Sequence, residues 1–440
     1  MSNNLTYEQA LDYLDGLLKF GIKFGLERIT ALSEALGNPH RDLRVIHVGG
    51  TNGKGSTATF IQTILSEAGY RTALYTSPYV RDLRERIQID GRMIGREEFA
   101  EIISEIKPAA DKIGQTDLGP VTEFEVKTMA AYLYFARMHV DFAVMEVGMG
   151  GRFDATNIVE PYVAVITNVS LDHTERLGDT VDKIAFEKAG IIKTGCTLVT
   201  AVDDEEAWQV ILKQARHEGA EVWRIISSHA RKATSPSPDV QFKYTTKENG
   251  FSMRGPEIQL IGLKPGLVGQ FQHANAATAI AAVLALEKYE VRVPVPAIRA
   301  GIAYAYIPGR VETLQDNPKV IVDGAHNPAA ARSLARAIRE NYSYDRLILV
   351  IGMLSTHPCE GVLARLAPIA STVIATQSGW SKALPADVLE KEARKHCENV
   401  ENVSNVSDAV KRALDIANTN DLVLVTGSFY TIGEVNILPE

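Results

Sequence analysis

The sequence predicts an α/β protein: a parallel sheet covered by helices on both faces, then a second, smaller domain of the same class. Three observations carry this. The short apolar runs LRVIHV, FAVMEVG and PYVAVITNV lack the polar alternation of a half-exposed strand, so they read as buried strands. Segments with helical periodicity stand between them, and repeated β–α units imply a parallel sheet. Beyond residue 307 the pattern begins again with KVIVDG, RLILVIG, STVIATQ and DLVLVTG.

Taken in order, Thr6 is an N-cap for a helix over residues 7–19, with Leu11, Leu14, Leu17 and Leu18 on one face. A second helix covers 25–36. The strand LRVIHV then runs into a glycine-rich loop, and the helix after that loop is closed by Gly69. RTALY is a strand, FAEIISEIKPAADKI a helix, and the helix TEFEVKTMAAYLYFARMH leads to the strand FAVMEVG. PYVAVITNV and the helix TVDKIAFEKAG follow. Residues 228–260 are polar with short alternating runs, which predicts an insertion or a small β-hairpin layer. An apolar helix covers 271–289, and a last helix and a linker lie in VRVPVPAIRAGIAYAYIPGR. This divides the chain into a P-loop parallel-sheet ATPase domain, 1–306, and a smaller Rossmann-like α/β domain, 307–440, with helices at 328–340, 385–396 and 406–418.

Composition narrows the function. The 440 residues carry 45% hydrophobic and 23% charged side chains, the balance of an ordinary soluble protein. A net charge of -8 argues against nucleic acid as a partner, because phosphate backbones need clustered Lys and Arg. The N-terminus has no basic region before an apolar core, and no apolar run approaches the ~20 residues of a membrane helix. Cys196, Cys359 and Cys397 lie far apart without metal-ligand spacing. A cytoplasmic monomer is expected, acting on small molecules and using neither membrane nor nucleic acid.

The stretch HVGGTNGKGSTATF, His47 to Phe60, departs from the usual phosphate-binding loop. There the hydroxyl residue follows the lysine directly. Here Gly55 follows Lys54, the hydroxyls come at Ser56 and Thr57, and Val48 stands where the first glycine belongs. Strand, glycine loop and helix still come in the order a phosphate site needs, with backbone N–H groups and the helix dipole facing the anion. Lys54 would meet the β/γ-phosphates and Ser56 a metal ion.

Other chemistry-bearing residues fall at predicted strand ends, where open parallel sheets bind ligands. These are Ser77 in TSPY, Glu146 in EVGMGGRFDATN, and Asp172 and His173 in ITNVSLDHTERLGDT. Mg²⁺ with ATP phosphates takes hard oxygens and one or two carboxylates, which suits Ser56, Ser77 and Glu146; His173 is a softer ligand. Each could instead make a capping or core hydrogen bond, although a carboxylate between an apolar strand and glycines, as at Glu146, is costly unless paired. Lys188, in AFEKAGIIK, reads equally as a lysine favoured by a helix C-terminus. In the second domain Arg310 lies in the linker, and IVDGAHNPAA offers Asp323, Gly324, His326 and Asn327. Asp323 could meet a ribose and His326 a phosphate, or Asp and Asn could simply cap turn and helix.

Together the segments GGTNGKGST, TSPY, RERI, EVGMGGRFDATN, LDHTERLGDT, EKAGI, PGRVE, DGAHNP and TGSFYTIGEV resemble folylpolyglutamate synthase/dihydrofolate synthase, a branch of the Mur ligase superfamily. They occur in that family's order from residue 49 to 435, and its loop carries the same Gly between lysine and hydroxyl. Only 48 residues precede Gly49, too few for the extra N-terminal domain of the peptidoglycan ligases.

The resemblance implies ATP-dependent ligation of L-glutamate to the γ-carboxylate of a folate, and to dihydropteroate, through an acyl phosphate. It implies ATP contacts from Thr51, Asn52, Gly53, Lys54, Gly55, Ser56 and Thr57, and from Arg310, Asp323 and His326 in the second domain. It implies two Mg²⁺ ions held by Ser56, Ser77, Glu146, His173 and a carbamylated Lys188, with Lys54, Lys188 and His173 serving catalysis. Asp154 and Arg152 match positions for the pterin.

The chain departs from that family at Tyr79 and Phe271, often His there, and at Ile307, often Trp. An Asp-Lys-Asp run after GML is here Ser355-Thr356-His357-Pro358; Lys382 is a candidate to replace the lysine that would help position the amino acid. A Mur-type ligase for another carboxylate or amine is the alternative. A P-loop ATPase or kinase would need no amine, and a non-catalytic nucleotide binder fits poorly with Lys54, Glu146, His173 and Lys188 together.

Overall fold

The computed structural model describes residues 4–21, 23–229, 237–248 and 250–436. They form two compact units. The first comprises Met1–Pro78, Arg84–Gly266 and His273–Ala305; the second comprises Tyr79–Leu83, Leu267–Gln272 and Tyr306–Glu440.

The first unit is built on one sheet. Its strands are β1 (Val45–Gly49), β2 (Thr72–Tyr75), β3 (Ile87–Ile89), β4 (Arg92–Met93), β5 (Phe142–Glu146) and β6 (Val163–Ile166), then β7 (Thr197–Thr200), β8 (Glu221–Ser227), β9 (Val240–Lys247), β10 (Gly250–Arg254) and β11 (Gln259–Leu263). The spatial order is β11-β10-β9-β8-β7-β6-β1-β5-β2-β3-β4. From β9 through β8, β7, β6, β1 and β5 to β2 the pairing is parallel. Every residue of β1, β2, β5, β6 and β7 is buried, as strands covered on both faces must be.

The polar stretch at 228–260, expected as an insertion or a small β-hairpin layer, forms antiparallel strands that are built onto the edge of the main sheet. β9, β10 and β11 extend the main sheet itself, and β10 and β11 join by antiparallel pairing. Alternating burial along β9 and β10 fits an outer position. The parts of that expectation at 230–236 and 249 lie outside the described residues.

β1 is the pivot. The chain leaves it to build β2 and β5 on one side and returns to place β6 on the other. Such a reversal opens a crevice beyond the carboxyl ends of the strands, the usual ligand position in an open α/β sheet. The helix after β1 runs Lys54–Glu67 and is buried along most of its length. The helices Tyr7–Leu17 and Glu123–Arg137 both start with capping boxes, Thr6 with Gln9 and Thr122 with Glu125. The first ends earlier than expected: Leu14 is buried, but Leu18 falls in a following 3₁₀ turn and is exposed.

The second unit holds β12 (Glu312–Asp316), β13 (Lys319–Asp323), β14 (Leu347–Ile351), β15 (Thr372–Gln377), β16 (Val400–Asn405) and β17 (Leu422–Thr426), in the order β12-β13-β17-β14-β15-β16. All neighbours are parallel except β12, an antiparallel edge strand. Strand alternation sorts its core into two faces. Ile321, Leu347, Leu349, Ile351 and Leu424 pack with helices Pro328–Asn341, Cys359–Leu366 and Ala386–Ala393. Val320, Val322, Ile348, Val350 and Val425 pack with helix Val406–Ile416 and with Phe429.

Candidate active site

The glycine loop begins where β1 ends. Gly53 has φ of 83° and caps the helix Lys54–Glu67; a Cβ there would stand 2.3 Å from Asn275 Oδ1, so only glycine fits without strain. The first i→i−4 bond of the helix runs from Thr57 N to Gly53 O. The amides of Lys54, Gly55 and Ser56 precede it and belong to the anion-attracting helix end. Ser56 and Thr57 are both buried, and the Thr57 hydroxyl makes no hydrogen bond among the described residues.

The loop is fastened to the segment leaving β6. Thr167 N and Oγ1 donate to Gly49 O at 3.0 and 3.3 Å, and Thr167 Oγ1 also donates to Asn52 O at 2.7 Å. Thr51 N donates to Asn168 O at 2.9 Å, and Thr51 Oγ1 exchanges bonds with the Ser170 backbone. The Asn168 carboxamide meets both backbone groups of Asn52, each at 2.9 Å. Thr167, Asn168 and Ser170 were not among the candidate residues. Their signal lies in ITNVSLDH, in the hydroxyl and carboxamide side chains just ahead of Asp172 and His173.

Two lysines converge on the Gly50 carbonyl. Lys54 Nζ donates to Gly50 O at 3.2 Å and to Thr51 O at 3.1 Å. Lys188 Nζ donates to Gly50 O at 2.8 Å. Lys188 is buried, and burial, reinforced by the Lys54 charge and opposed by Asp172, pushes its amine down to about 7. Its helix, Val181–Ala189, is gripped at that end by the Gly150–Arg152 turn. Arg152 N donates to Glu187 O at 2.8 Å, and Asn157 Nδ2 donates to both Arg152 O and Gly190 O. Lys188 therefore faces inward at the loop, although a lysine at a helix C-terminus ordinarily reaches water.

Glu146, the last residue of β5, is buried, and its Oε2 accepts from Ser77 N at 2.8 Å. A Cβ built on Gly55 would lie 3.5 Å from each Glu146 carboxylate oxygen. Glu146 thus brings Ser77 and the start of the loop helix together. His173 has left-handed backbone at the head of the short helix Thr174–Leu177, with its N–H donated to Asp172 Oδ1 at 2.9 Å. Among the described residues, no group of three or more His, Cys, Asp or Glu side chains is assembled for a metal. One buried carboxylate at the Ser77 backbone and the start of the loop helix is a hard oxygen donor of the kind Mg²⁺ carried in with phosphates takes, and it is not a closed protein cage.

Asp154 and Arg152 sit on the turn after β5. Asp154 is buried and its carboxylate is held by the turn: Oδ2 accepts from Met149 N at 2.9 Å, and Oδ1 accepts from Thr156 N and Oγ1 at 3.0 and 2.5 Å. Burial raises its pKa, and these bonds oppose the rise. Thr156 Oγ1 also meets His47 Nε2 at 2.8 Å, which links the turn to β1. Arg152 stacks its guanidinium on the exposed Phe186 ring, 4.0 Å from the centroid.

In the second unit, Asp323 ends β13 and fixes the turn around it. Oδ2 accepts from Val311 N and Oδ1 from Ala325 N, both at 2.9 Å. Burial raises its pKa, with Arg310 acting against the rise. Arg310 lies over the Phe429 ring at 4.6 Å. His326 Nδ1 meets Gly324 O at 2.9 Å, and Asn327 caps the next helix through Ala330 N. The His357 ring, from the stretch that replaces Asp-Lys-Asp, stands 4.9 Å from His326. Lys382 approaches that stretch through its backbone, its carbonyl accepting from Ser355 N at 2.9 Å.

Known proteins share these two domains and this fold. Residues 48–283 match the Mur ligase middle domain, and residues 309–429 match the Mur ligase, glutamate ligase domain. The Bacillus subtilis (strain 168) dihydrofolate synthase/folylpolyglutamate synthase is 37% identical over 439 residues, with 98% of each chain covered. The structure of E. coli FolC in complex with DHPP and ADP superposes with a TM-score of 0.85 at 32% identity, covering 98% of this chain and 96% of that one. The Yersinia pestis bifunctional folylpolyglutamate synthase/dihydrofolate synthase complexed with AMPPNP and Mn ion gives 0.82 at 33%, covering 98% and 97%. With two family domains matched in order along a shared fold, the chain belongs to the Mur ligase family, in its folylpolyglutamate synthase/dihydrofolate synthase branch, whose members are C–N bond-forming ligases.

Proposed function

We propose that this chain uses ATP to join L-glutamate to the γ-carboxylate of a reduced folate and to dihydropteroate. The observation that carries the reading is the convergence of Lys54 and Lys188 on Gly50 O beside a buried Glu146 that holds Ser77 to the loop. A carboxylate oxygen attacks the γ-phosphorus of ATP, ADP leaves, and an acyl phosphate remains. The amine of glutamate then adds to the acyl carbon, loses a proton, and expels phosphate as the amide forms.

Two anions must meet in the first step, so opposing charge decides the rate. Lys54 turns from its loop carbonyls to the phosphates when nucleotide binds. The helix amides from Lys54 to Ser56 face the same charge. Ser56, Ser77, Glu146 and His173 would hold Mg²⁺, which supplies further neutralisation of phosphate charge when bound. Lys188 is placed for carbamylation: its neutral nitrogen adds to the carbon of CO₂, one C–O π pair becomes carboxylate charge, and a proton is released. Burial against the loop favours the neutral amine this needs and yields a second carboxylate-like ligand. Asp154 shapes the turn on which Arg152 and Phe186 would meet the pterin-bearing substrate. Arg310, Asp323 and His326 are assigned to ATP within the second unit.

The test is product formation followed by mass. Purified protein receives Mg-ATP, L-glutamate, and either tetrahydrofolate or dihydropteroate. A product heavier by one glutamyl unit, with one phosphate released per product, supports the reading. No product with either acceptor despite nucleotide binding turns attention to another amine or carboxylate, the alternative that the Ser355–Pro358 stretch favours.

A further inference from the structure

We infer that Asn168 is a positioning residue for the nucleotide, because its side chain sets the direction of the phosphate loop. This rests on the loop being the ATP site. β1 and β6 pair as parallel strands up to Gly49 opposite Ile166. Beyond that point the ladder ends in two backbone bonds, Thr167 N to Gly49 O and Thr51 N to Asn168 O, and side chains take over: Thr167 Oγ1 on Gly49 O and Asn52 O, and the Asn168 carboxamide on both backbone groups of Asn52. A carboxamide offers a donor and an acceptor side by side, so it can imitate a neighbouring peptide unit.

The consequence is directional. The N–H groups of Thr51 and Asn52 point to Asn168, away from the phosphate side, and the loop reverses at Gly53 so that the helix amides face the anion. The two bonds hold the peptide groups on both sides of Asn52, where a single bond would leave one of them free to rotate. The same short segment runs on through Ser170, bonded to Thr51, to Asp172 and His173. One stretch of chain thereby registers the loop against the residues assigned to metal. Asn168 is only half-buried and Thr167 holds the loop independently, so the role of Asn168 is orientation more than folding.

The test uses the full chain with Asn168→Ala and Asn168→Asp. The second keeps an acceptor for Asn52 N but sets a carboxylate oxygen against Asn52 O, where the donor now stands at 2.9 Å. ADP affinity is measured by calorimetry, KM for ATP and for L-glutamate by product formation, and Tm by scanning. The expected result is ADP affinity and ATP KM weakened at least tenfold in both variants, with KM for glutamate within twofold of wild type. The Asp variant is at least as impaired as Ala despite its closer shape. Loss of kcat in proportion to lost folded protein, with ATP KM and ADP affinity unchanged, is what a purely structural residue would give and overturns the inference. A wild-type chain that binds no nucleotide overturns the reading of the loop itself, and this inference with it.

Discussion

Lys54 and Lys188, 134 positions apart in sequence, donate to one acceptor, the Gly50 carbonyl oxygen, at 3.2 and 2.8 Å. Two ammonium groups on one carbonyl repel, and nothing in a resting fold requires both. The pair makes sense where one lysine leaves for phosphate and the other loses its charge. Lys188→Ala should therefore abolish nearly all turnover and leave Tm little changed, since removing a buried amine also removes its desolvation cost. Carbon-13 bicarbonate should give a bound carbonyl resonance in wild type that Lys188→Arg lacks. Full activity in Lys188→Ala would sink the carbamate role.

The glycines on either side of Lys54 should behave oppositely. At Gly53 any side chain meets both left-handed backbone and Asn275 Oδ1. Gly53→Ala should cost about 1–2 kcal/mol for the backbone alone, with more for the collision, and should lower Tm as well as ATP affinity. A methyl on Gly55 would lie 3.5 Å from both Glu146 oxygens, an ordinary contact, so Gly55→Ala should fold normally. What it should damage is metal-dependent nucleotide binding, because the methyl covers the Glu146 carboxylate. Comparing ADP affinity with and without Mg²⁺ separates the two. Wild-type magnesium dependence in Gly55→Ala would remove the metal role from Glu146.

The strand, glycine loop and helix were legible because apolar runs and glycine spacing are local signals. The grip of Thr167 and Asn168 on that loop was not, because side-chain bonds across 115 and 116 positions leave no periodicity. Lys188 read equally well as a helix-end lysine. Its burial depends on the Gly150–Arg152 turn closing over the helix end, a tertiary fact. Strands β12 and β16 give no sequence signal, since ETLQD and VENVSN are polar edge strands without an apolar run. The short helix Cys359–Leu366 follows a proline in a stretch read for its missing lysine and not for its periodicity.

Lys127 is buried on helix Glu123–Arg137 and pairs with Glu123. Burial, with the Arg86 charge, pushes its amine down to about 7, and Glu123 resists that shift. Between about 7 and the ordinary lysine value, the unfolded chain holds a proton the native state lacks, so stability rises with pH across that window. Below it the native state carries the full cost of a buried charge. Lys127→Met should therefore gain most over wild type near pH 6, and the gain should shrink by roughly 3 kcal/mol at most by pH 9. Denaturant melts of both proteins at the two pH values check this. A gain that grows with pH would show that Lys127 is held charged.

The His357 ring stands 4.9 Å from His326, whose Nδ1 meets Gly324 O at 2.9 Å. The two residues follow β13 and β14, which flank β17, at the carboxyl edge of the second sheet. That edge is where an open α/β sheet binds ligands. The stretch is also fixed, with Ser355 bonded to Lys382 O and Leu354 bridged to Ala383. A second imidazole held beside His326 is a candidate for the help in positioning the incoming amino acid that the resemblance implies from a lysine here. His357→Ala should raise KM for L-glutamate at least fivefold and leave KM for ATP unchanged, and His357→Lys should recover most of the loss. An unchanged glutamate KM in His357→Ala would mean that this stretch does not meet the amine substrate.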